Sequence, residues 1–411
     1  MIKKVDIKQL EVGMYVEKID LAWTDHPFLR NSFLIKTLEA IKKLSDAGVH
    51  TVYIDTSKGL DAYNAPTEKE VLKEIEEKII NVVSDKESEE KVKKVAGYKK
   101  TSIYKEINEA KKIFRETTGI IRNFMFDARL GRKVEVERLK PAIEDVSSSL
   151  LRCPDALLSL SRIKHKDDYT FEHCVSVSAI QVSFSAYLNM NEQDIYNSCI
   201  GGFLHDIGKI MMPDYILNKP AKLNDEEFRI MKSHVVETKK ILDEIPGIEE
   251  IAKQIAYQHH ERYDGSGYPL GLKGEQISQA GKIAAICDVY DAITSNRIYH
   301  KGIPPHTALG KLLEWSDFNF DKLLVEQFIR FIGVYPVGTL VKLESGLIGV
   351  VVEQNNGGAN SLFPIIKIFY SSKYGRYINE YHLDLSKENC NNKIVSIISA
   401  EEININPINL F

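Results

Sequence analysis

Histidine and aspartate side chains recur in the middle of this chain, at positions where the flanking residues are apolar or small. The segment FLHDIGK places His205 directly before Asp206, and Lys209 follows three residues later. Burying such groups costs free energy unless a partner compensates them. Eight of the eleven histidines lie between His165 and His306. This concentration indicates a buried site whose polar groups share a common partner.

Helical patterns place the candidate ligands on several separate helices or at helix ends. The set comprises His173, His205, Asp206, His234, His259, His260 and Asp288. Five imidazoles and two carboxylates exceed the four ligands of a tetrahedral zinc site. They suit two metal ions that share a bridging carboxylate and a bridging hydroxide. Because metal pairs about 3.5–4 Å apart activate a nucleophile and hold phosphoryl oxygens, the set favours phosphoester cleavage.

The charge of the site favours a phosphodiester over a polyphosphate. Asp206, Asp288 and a hydroxide would leave one positive charge of two divalent ions uncompensated, which one phosphodiester anion would cancel. Lys209 would lie one helical turn after Asp206, where its compact charge suits a phosphate oxygen. Arg297 and Lys301 follow the Asp288 helix and are candidates for holding a second phosphate.

Each of these residues alone also has a structural interpretation. A single buried histidine such as His234 is more often a hydrogen-bonded core residue, and His259 with His260 would suit a helix end at the surface. Lys209 alone would be a helix lysine whose stem is covered and whose ammonium reaches solvent. The basic residues after the Asp288 helix would be solvated. Three further histidines are interpreted as structural or surface residues: His165, His300 and His306.

Composition and length bound the class of protein. A chain of 411 residues is expected to form two or three domains, and 44% hydrophobic with 27% charged residues is typical of globular proteins. A net charge of −4 gives no general attraction for nucleic acid or anionic membranes. We find no signal peptide and no apolar run of the ~18 residues that span a bilayer. The five cysteines form no CxxC pair, which predicts reduced thiols and a cytoplasmic protein.

Changes in residue pattern predict a mainly α fold with a small module at each end. Strand and helix patterns alternate near the N-terminus, and short β-type runs follow Pro336. Between them, Asn224 and Glu227 form a predicted capping box in a succession of six or more helices. The predicted segments are an N-terminal α+β module (1–66), a charged and solvated helical linker (67–136), an all-helical domain (137–335) and a small β domain (336–411).

The order of these motifs resembles the HD-GYP family, a branch of the HD-domain metal phosphohydrolases. The resemblance rests on HDIGK with a histidine on each side, on HHERYDGSGYP and on DVYDAITSNRIYHK, and it covers roughly residues 140–335. The N-terminal residues resemble, more weakly, a module that often precedes this domain. The central domain is therefore expected to adopt the HD-type helical fold.

The resemblance implies a bacterial phosphodiesterase that linearises cyclic-di-GMP to pGpG, and in many members continues to GMP. In-line attack by a metal-bridging hydroxide is the implied mechanism, with iron or manganese as the two metals. The seven candidate ligands match the family's ligands, Asp206 and Lys209 match catalytic positions near the scissile phosphate, and Arg297 and Lys301 match phosphate-holding residues. Some members bind a third metal through a glutamate where this chain has Tyr169, which predicts two metals here.

Two other functions stay open at the level of the sequence: a cyclic-di-GMP receptor with little turnover, and a phosphodiesterase for another cyclic dinucleotide. The loop Gly267-Tyr268-Pro269 is expected to stack Tyr268 on a base, to contact a partner domain such as a diguanylate cyclase, or to close over the helices as a structural element. A homodimer is a further candidate assembly.

Overall fold

A computed structural model describes most of the chain. The described residues are 1–20, 32–84, 101–160, 164, 168–219, 221, 223–295, 302–316, 318–355, 362–387, 390, 392–398, 402–403 and 410. Among them, no helix combines the length and apolar character needed to cross a bilayer. All five cysteines are free thiols, as predicted.

The N-terminal module is a four-stranded antiparallel sheet with one helix, which agrees with the predicted α+β unit. Its elements are β1 (Ile2–Asp6), β2 (Tyr15–Ile19), β3 (Phe33–Leu34), α1 (Leu38–Asp46) and β4 (Thr51–Asp55), and the strand order is β1-β4-β2-β3. The alternating burial of β1 and the apolar face of α1 cover a small core. Thr37 caps α1, because its hydroxyl accepts a hydrogen bond from the Ala40 N–H at 3.3 Å.

The prediction of a solvated linker is wrong for the part of residues 67–136 that the structure describes. This part forms α2 (Glu68–Ser84) and α3 (Ile103–Arg129), and both helices bury an apolar face. α3 buries eleven residues along one stripe, which joins the largest hydrophobic core. The abundant Lys and Glu residues occupy the opposite face, so charge density concealed an amphipathic pattern. The charge run after Ser84 lies outside the described residues, and the domain boundaries stay a prediction.

The central domain is a layered assembly of helices around the long helix α6. Its helices are α4 (Lys140–Arg152), α5 (Pro154–Leu160), α6 (Tyr169–Tyr187), α7 (Glu192–Leu204), α8 (Asp214–Leu217), α9 (Asp225–Lys232), α10 (His234–Glu244), α11 (Glu250–Gln258), α12 (Gln279–Thr294), α13 (Pro305–Trp315) and α14 (Lys322–Ile332). Asn224 and Glu227 form the predicted capping box at α9. Helix α6 is buried on nearly all sides, because it contributes to both large hydrophobic cores.

Two glycines let α7 approach its neighbours closely. A Cβ atom at Gly202 would lie 2.6 Å from the Cα of Ser178 in α6, and one at Gly201 would lie 2.7 Å from Ile255 in α11. A side chain at either position would push the helices apart. The glycine pair therefore fixes the end of α7, which carries His205 and Asp206.

The C-terminal segment is a five-stranded antiparallel sheet, as the short β-type runs predicted. Its strands are β5 (Leu340–Leu343), β6 (Leu347–Glu353), β7 (Ile365–Ser371), β8 (Arg376–Asp384) and β9 (Ile394–Ile397), in the order β8-β7-β6-β5-β9. Val341, Val351, Ile366 and Ile368 on its inner face belong to the same core as α3. The helix thus joins this sheet to the central domain.

A buried ionic cluster fastens the N-terminal module to α13. Asp20 accepts from Lys4 at 2.8 Å and from Lys311 at 2.9 Å, and both lysines also contact Glu314. The indole N–H of Trp315 lies 3.3 Å from Asp20. Burial alone would raise the pKa of Asp20, but the ammonium groups of Lys311 and Lys4 hold this pKa well below its ordinary value. Two lysines and two carboxylates balance each other at this contact.

We expect Asp20→Asn to lower the free energy of unfolding by about 3 kcal/mol, because it leaves Lys4 and Lys311 with too little compensating charge. Urea denaturation at neutral pH would measure the change. Glu17→Gln, which breaks an exposed pair with Lys58, is the control and should cost less than about 1 kcal/mol. Equal losses in the two variants would contradict the role of the cluster.

The pH dependence of this difference has a defined sign. Since the folded-state pKa of Asp20 is depressed, its stabilisation is complete above the ordinary carboxyl pKa of about 4 and is lost as the pH falls through the folded-state pKa. The difference in the free energy of unfolding between wild type and Asp20→Asn should therefore become smaller only at acidic pH.

Candidate metal centre

The His205-Asp206 pair lies at the sharp turn that ends α7. A short 3-10 turn follows it, and Gly208 in this turn donates its N–H to the Thr238 hydroxyl at 2.9 Å. A Cβ atom at Gly208 would lie 2.0 Å from the carbonyl oxygen of His234, so only glycine permits this approach to α10. The close packing brings the HD pair and His234 to the same buried point.

The other predicted ligands come from three more places in the helical domain. His173 lies in the second turn of α6, His259 and His260 directly follow α11, and Asp288 lies in α12. All seven predicted ligands are buried, and none exposes more than 7% of its surface. The structure therefore brings together every metal ligand that the sequence predicted.

The two carboxylates lie at the centre of the five imidazoles. Asp206 Oδ1 lies 3.2 Å from Nε2 of His234 and 3.8 Å from Nε2 of His259, while its Oδ2 lies 3.3 Å from Nε2 of His205. Asp288 Oδ1 lies 2.9 Å from Nε2 of His173. Asp206 is thus the carboxylate that contacts histidines on both sides of the site.

Backbone carbonyls fix the orientation of three imidazoles. The Nδ1 atoms of His205, His234 and His259 lie 2.8, 2.7 and 2.9 Å from the carbonyl oxygens of Gly202, Met231 and Ala256, each three residues earlier. Since a carbonyl can only accept, each Nδ1 donates a proton. In the neutral imidazole the Nε2 atom then carries a lone pair, which points towards the carboxylates.

This arrangement fits divalent cations. Without a cation, a lone pair on Nε2 would face carboxylate oxygens that also carry lone pairs. Within the ligand cluster, five buried atoms have no hydrogen-bond partner in the described structure: His205 Nε2, Asp206 Oδ1, His234 Nε2, His259 Nε2 and His260 Nδ1. Each unsatisfied buried group costs about 1–3 kcal/mol. Such a concentration of these groups at one point is the arrangement of a metal site.

The ligand atoms fall into two groups that share one carboxylate. The atoms of Asp206, His234, His259 and His260 all lie within 4.8 Å of one another, and so do those of His173, His205 and Asp206. Asp288 contacts the second group through its 2.9 Å distance to His173. A carboxylate common to two groups is the geometry that a metal pair requires.

The environment favours the protonation states that metal binding needs. Burial lowers the pKa of His259 to about 3 and moves the pKa of His260 well below its ordinary value, which keeps both imidazoles neutral. Burial would raise the pKa values of Asp206 and Asp288. Lys209 and His205 nevertheless hold the pKa of Asp206 well below its ordinary range, and His173 and His260 do the same for Asp288. The site therefore offers the neutral nitrogens of His259 and His260 and two ionised carboxylates as ligands.

Two residues that sequence reasoning missed support His173. Asp291 Oδ2 lies 2.6 Å from His173 Nδ1, and the completely buried Lys164 ammonium lies 3.0 Å from Asp291 Oδ1. The carboxylate holds the ring so that Nε2 faces the ligand cluster. The spacing in DVYD could have indicated Asp291, because it lies one helical turn after Asp288 on a similar face. No local pattern pointed to Lys164.

Lys209 contacts Asp206 of the ligand cluster, whereas the other two predicted substrate residues lie in a part of the chain that the structure does not describe. Its ammonium lies 2.5 Å from Asp206 Oδ2, and about a quarter of the side chain is exposed. Arg297 and Lys301 lie outside the described residues, as do His165 and His300. His306 donates from Nδ1 to the Val334 carbonyl at 3.2 Å, which agrees with its structural interpretation.

The Gly267-Tyr268-Pro269 loop covers one side of the ligand cluster. The Tyr268–Pro269 peptide bond is cis, and the Tyr268 ring stacks on His260 with 4.6 Å between ring centroids. The buried Glu261 carboxylate accepts hydrogen bonds from the N–H groups of Leu270 and Leu272 at 2.8 and 2.9 Å. In this structure the face of Tyr268 packs on a ligand, which fits the loop's structural interpretation. Contact with a partner domain stays a prediction.

The region before His173 is occupied by an ion pair and an aromatic ring. Asp168 pairs with Arg122 of α3, and Tyr169 stacks with His173 at 6.0 Å between ring centroids. The position that would carry a third-metal glutamate in some relatives therefore holds an aromatic ring.

Comparisons with known proteins identify the class of protein. The HD-domain family model matches residues 153–324, and a domain of unknown function, DUF3391, matches residues 2–139. A cyclic di-GMP phosphodiesterase of Pseudomonas aeruginosa is 35% identical over 405 residues, which are 98% of this chain and 94% of the relative. With its HD and GYP motifs, this chain belongs to the HD-GYP family.

Shorter matches cover the central region. A cyclic di-GMP phosphodiesterase of Thermotoga maritima is 36% identical over 168 residues, which are 41% of this chain and 46% of the relative. A 3'3'-cGAMP-specific phosphodiesterase of Vibrio cholerae is 40% identical over 128 residues, which are 31% of this chain and 24% of the relative.

We expect Asp291→Asn to weaken divalent metal binding by about 10- to 100-fold, because the amide orients His173 less firmly and leaves Lys164 without its counter-charge. Titration of the metal-free protein with Mn(II) would measure the affinity. Asp145→Asn, an exposed carboxylate on α4, is the control and should bind as wild type does. Unchanged affinity in both variants would show that Asp291 does not support the ligand.

Proposed function

We propose that this member of the HD-GYP family hydrolyses cyclic-di-GMP, either to pGpG or further to GMP, with two divalent ions, Fe or Mn, in its centre. The chain is a cyclic dinucleotide phosphodiesterase, since its curated relatives carry that activity in their names. The observation that supports the finer proposal is the sharing of Asp206 by two groups of buried ligand atoms. This geometry suits an in-line displacement at phosphorus.

The metal ions would supply Lewis-acid charge and a nucleophilic water at neutral pH. The chain's own residues would hold them: His173, His205, Asp206, His234, His259, His260 and Asp288. Lys209 would leave Asp206 and donate to a non-bridging oxygen of the scissile phosphate, because the ions would compete with it for the Asp206 carboxylate. Arg297 and Lys301 stay proposed contacts to the second phosphate.

Two other functions compete with this proposal. A cyclic-di-GMP receptor would bind the messenger with little turnover, and the complete set of buried ligands argues for the enzyme instead. Another cyclic dinucleotide could be the substrate, because some relatives are named for 3'3'-cGAMP. A turnover assay that compares substrates and identifies products separates these functions.

Purified protein loaded anaerobically with Fe(II) or Mn(II) should convert cyclic-di-GMP to pGpG or GMP, and metal analysis should find two ions per chain. Chromatography of the products measures the reaction. The double variant His205→Ala/Asp206→Ala is the control, because it removes ligands from both groups and should abolish turnover. Tight binding of cyclic-di-GMP without product would instead establish the receptor. The absence of both binding and product would exclude cyclic-di-GMP as the substrate.

Replacing Lys209 tests the role of its charge. We expect Lys209→Met to lower kcat by about 100-fold with little change in KM and in metal content, because the lost charge acts on the developing phosphorane. Lys140→Met, which removes an exposed lysine on α4, should leave kcat unchanged. A Lys209→Met enzyme with normal kcat, or one that has lost its metals, would contradict this role.

A further inference from the structure

A cavity of about 340 Å³ lies between the N-terminal module and the metal centre. The end of α1 forms one wall with Lys43, Asp46 and Gly48, and the opposite wall contains Phe228, Tyr268 and His260. His260 is also one of the metal ligands, so the cavity adjoins the site where a scissile phosphate would lie. Its size and its mixture of aromatic and charged lining groups are typical of a pocket for a small ligand.

Four contacts hold the module's wall against the central domain. His50 lies 3.1 Å from the Asp264 carboxylate through Nε2, and its ring stacks on Phe318 with 3.7 Å between centroids. Lys43 of α1 pairs with Asp225 of α9 at 3.0 Å. A Cβ atom at Gly48 would lie 3.5 Å from Ser266, so the turn after α1 lies against the loop. The wall is therefore attached on both sides of the cavity.

The charged groups of the cavity can distinguish purine bases. Asp46 is exposed towards the cavity, and within the described part of the chain no ion pair or hydrogen bond engages its carboxylate. A carboxylate accepts two hydrogen bonds side by side, which matches the N1–H and N2–H donors of guanine. The neighbouring Lys43 ammonium can donate to the O6 acceptor of the same base. Adenine presents an acceptor at N1, so the carboxylate would repel it.

We propose that the N-terminal module completes the substrate site, and that Asp46 on α1 binds one guanine base of the cyclic dinucleotide. This inference rests on the proposed function. It assigns the module a direct part in substrate selection, with Lys43 as a second contact and the aromatic wall of the cavity as the surface on which the base packs. Because Tyr268 covers the face of His260, the other half of the dinucleotide then passes the edge of this ring to reach the metal centre.

Equilibrium binding to the full-length, metal-loaded protein tests the assignment. Asp46→Asn should raise the dissociation constant and the KM for cyclic-di-GMP about tenfold, because its amide NH2 opposes the guanine donors. Its kcat should stay unchanged. The preference for cyclic-di-GMP over cyclic-di-AMP, which carries adenine at both positions, should fall by a similar factor. Glu39→Gln, on the same helix but outside the cavity, should behave as wild type does.

A second variant tests the wall itself. His50→Ala removes the hydrogen bond to Asp264 and the stacking on Phe318, and should weaken binding of both dinucleotides alike without changing the preference between them. If wild type hydrolyses cyclic-di-GMP and Asp46→Asn binds and discriminates like Glu39→Gln, the inference is overturned while the proposed function stands. If wild type binds cyclic-di-GMP without turnover, the dissociation constants of wild type, Asp46→Asn and Glu39→Gln decide the inference on their own. If wild type neither binds nor hydrolyses cyclic-di-GMP, both are overturned.

Discussion

The desolvation of seven ligand residues at one point is the constraint on which the rest of this structure depends. A domain is stable by only about 5–15 kcal/mol, and five unsatisfied buried atoms at about 1–3 kcal/mol each would consume much of that margin. The surrounding structure must therefore be rigid enough to hold these groups together before a cation compensates them. Close packing of α7 through Gly201 and Gly202, and of the following turn through Gly208, provides that rigidity.

The candidate ligands are oriented by groups that lie outside the ligand cluster. Backbone carbonyls one helical turn earlier fix His205, His234 and His259, and a carboxylate with a buried lysine fixes His173. Each contact selects a tautomer, since the nitrogen that donates outward leaves the other nitrogen as the ligand. Helix ends are suited to this task, because a histidine that follows a helix can reach an unpaired carbonyl in the last turn of that helix.

The flanking modules are part of the same body as the helical domain. The buried cluster around Asp20 joins the N-terminal sheet to α13, and the long helix α3 packs both on the central helices and on the C-terminal sheet. This attachment brings the end of α1 to the GYP loop. Because the N-terminal module packs so close to the ligand cluster, it can affect which ligand enters the site without any large conformational change.

The sequence by itself determined which His and Asp residues gather in the buried cluster, the helical class of the central domain and the capping box at Asn224. These features depend on residue types at short, fixed spacing, which local periodicity and known motifs reveal. It did not reveal that residues 103–129 form a core helix, because the charged face of an amphipathic helix dominates its composition. Only the tertiary structure decided what supports His173, since Asp291 reaches it from 118 residues away and Lys164 pairs with that same carboxylate. It also decided that the end of α1 lines the same cavity as His260, because that placement follows from how whole modules pack and not from any local pattern.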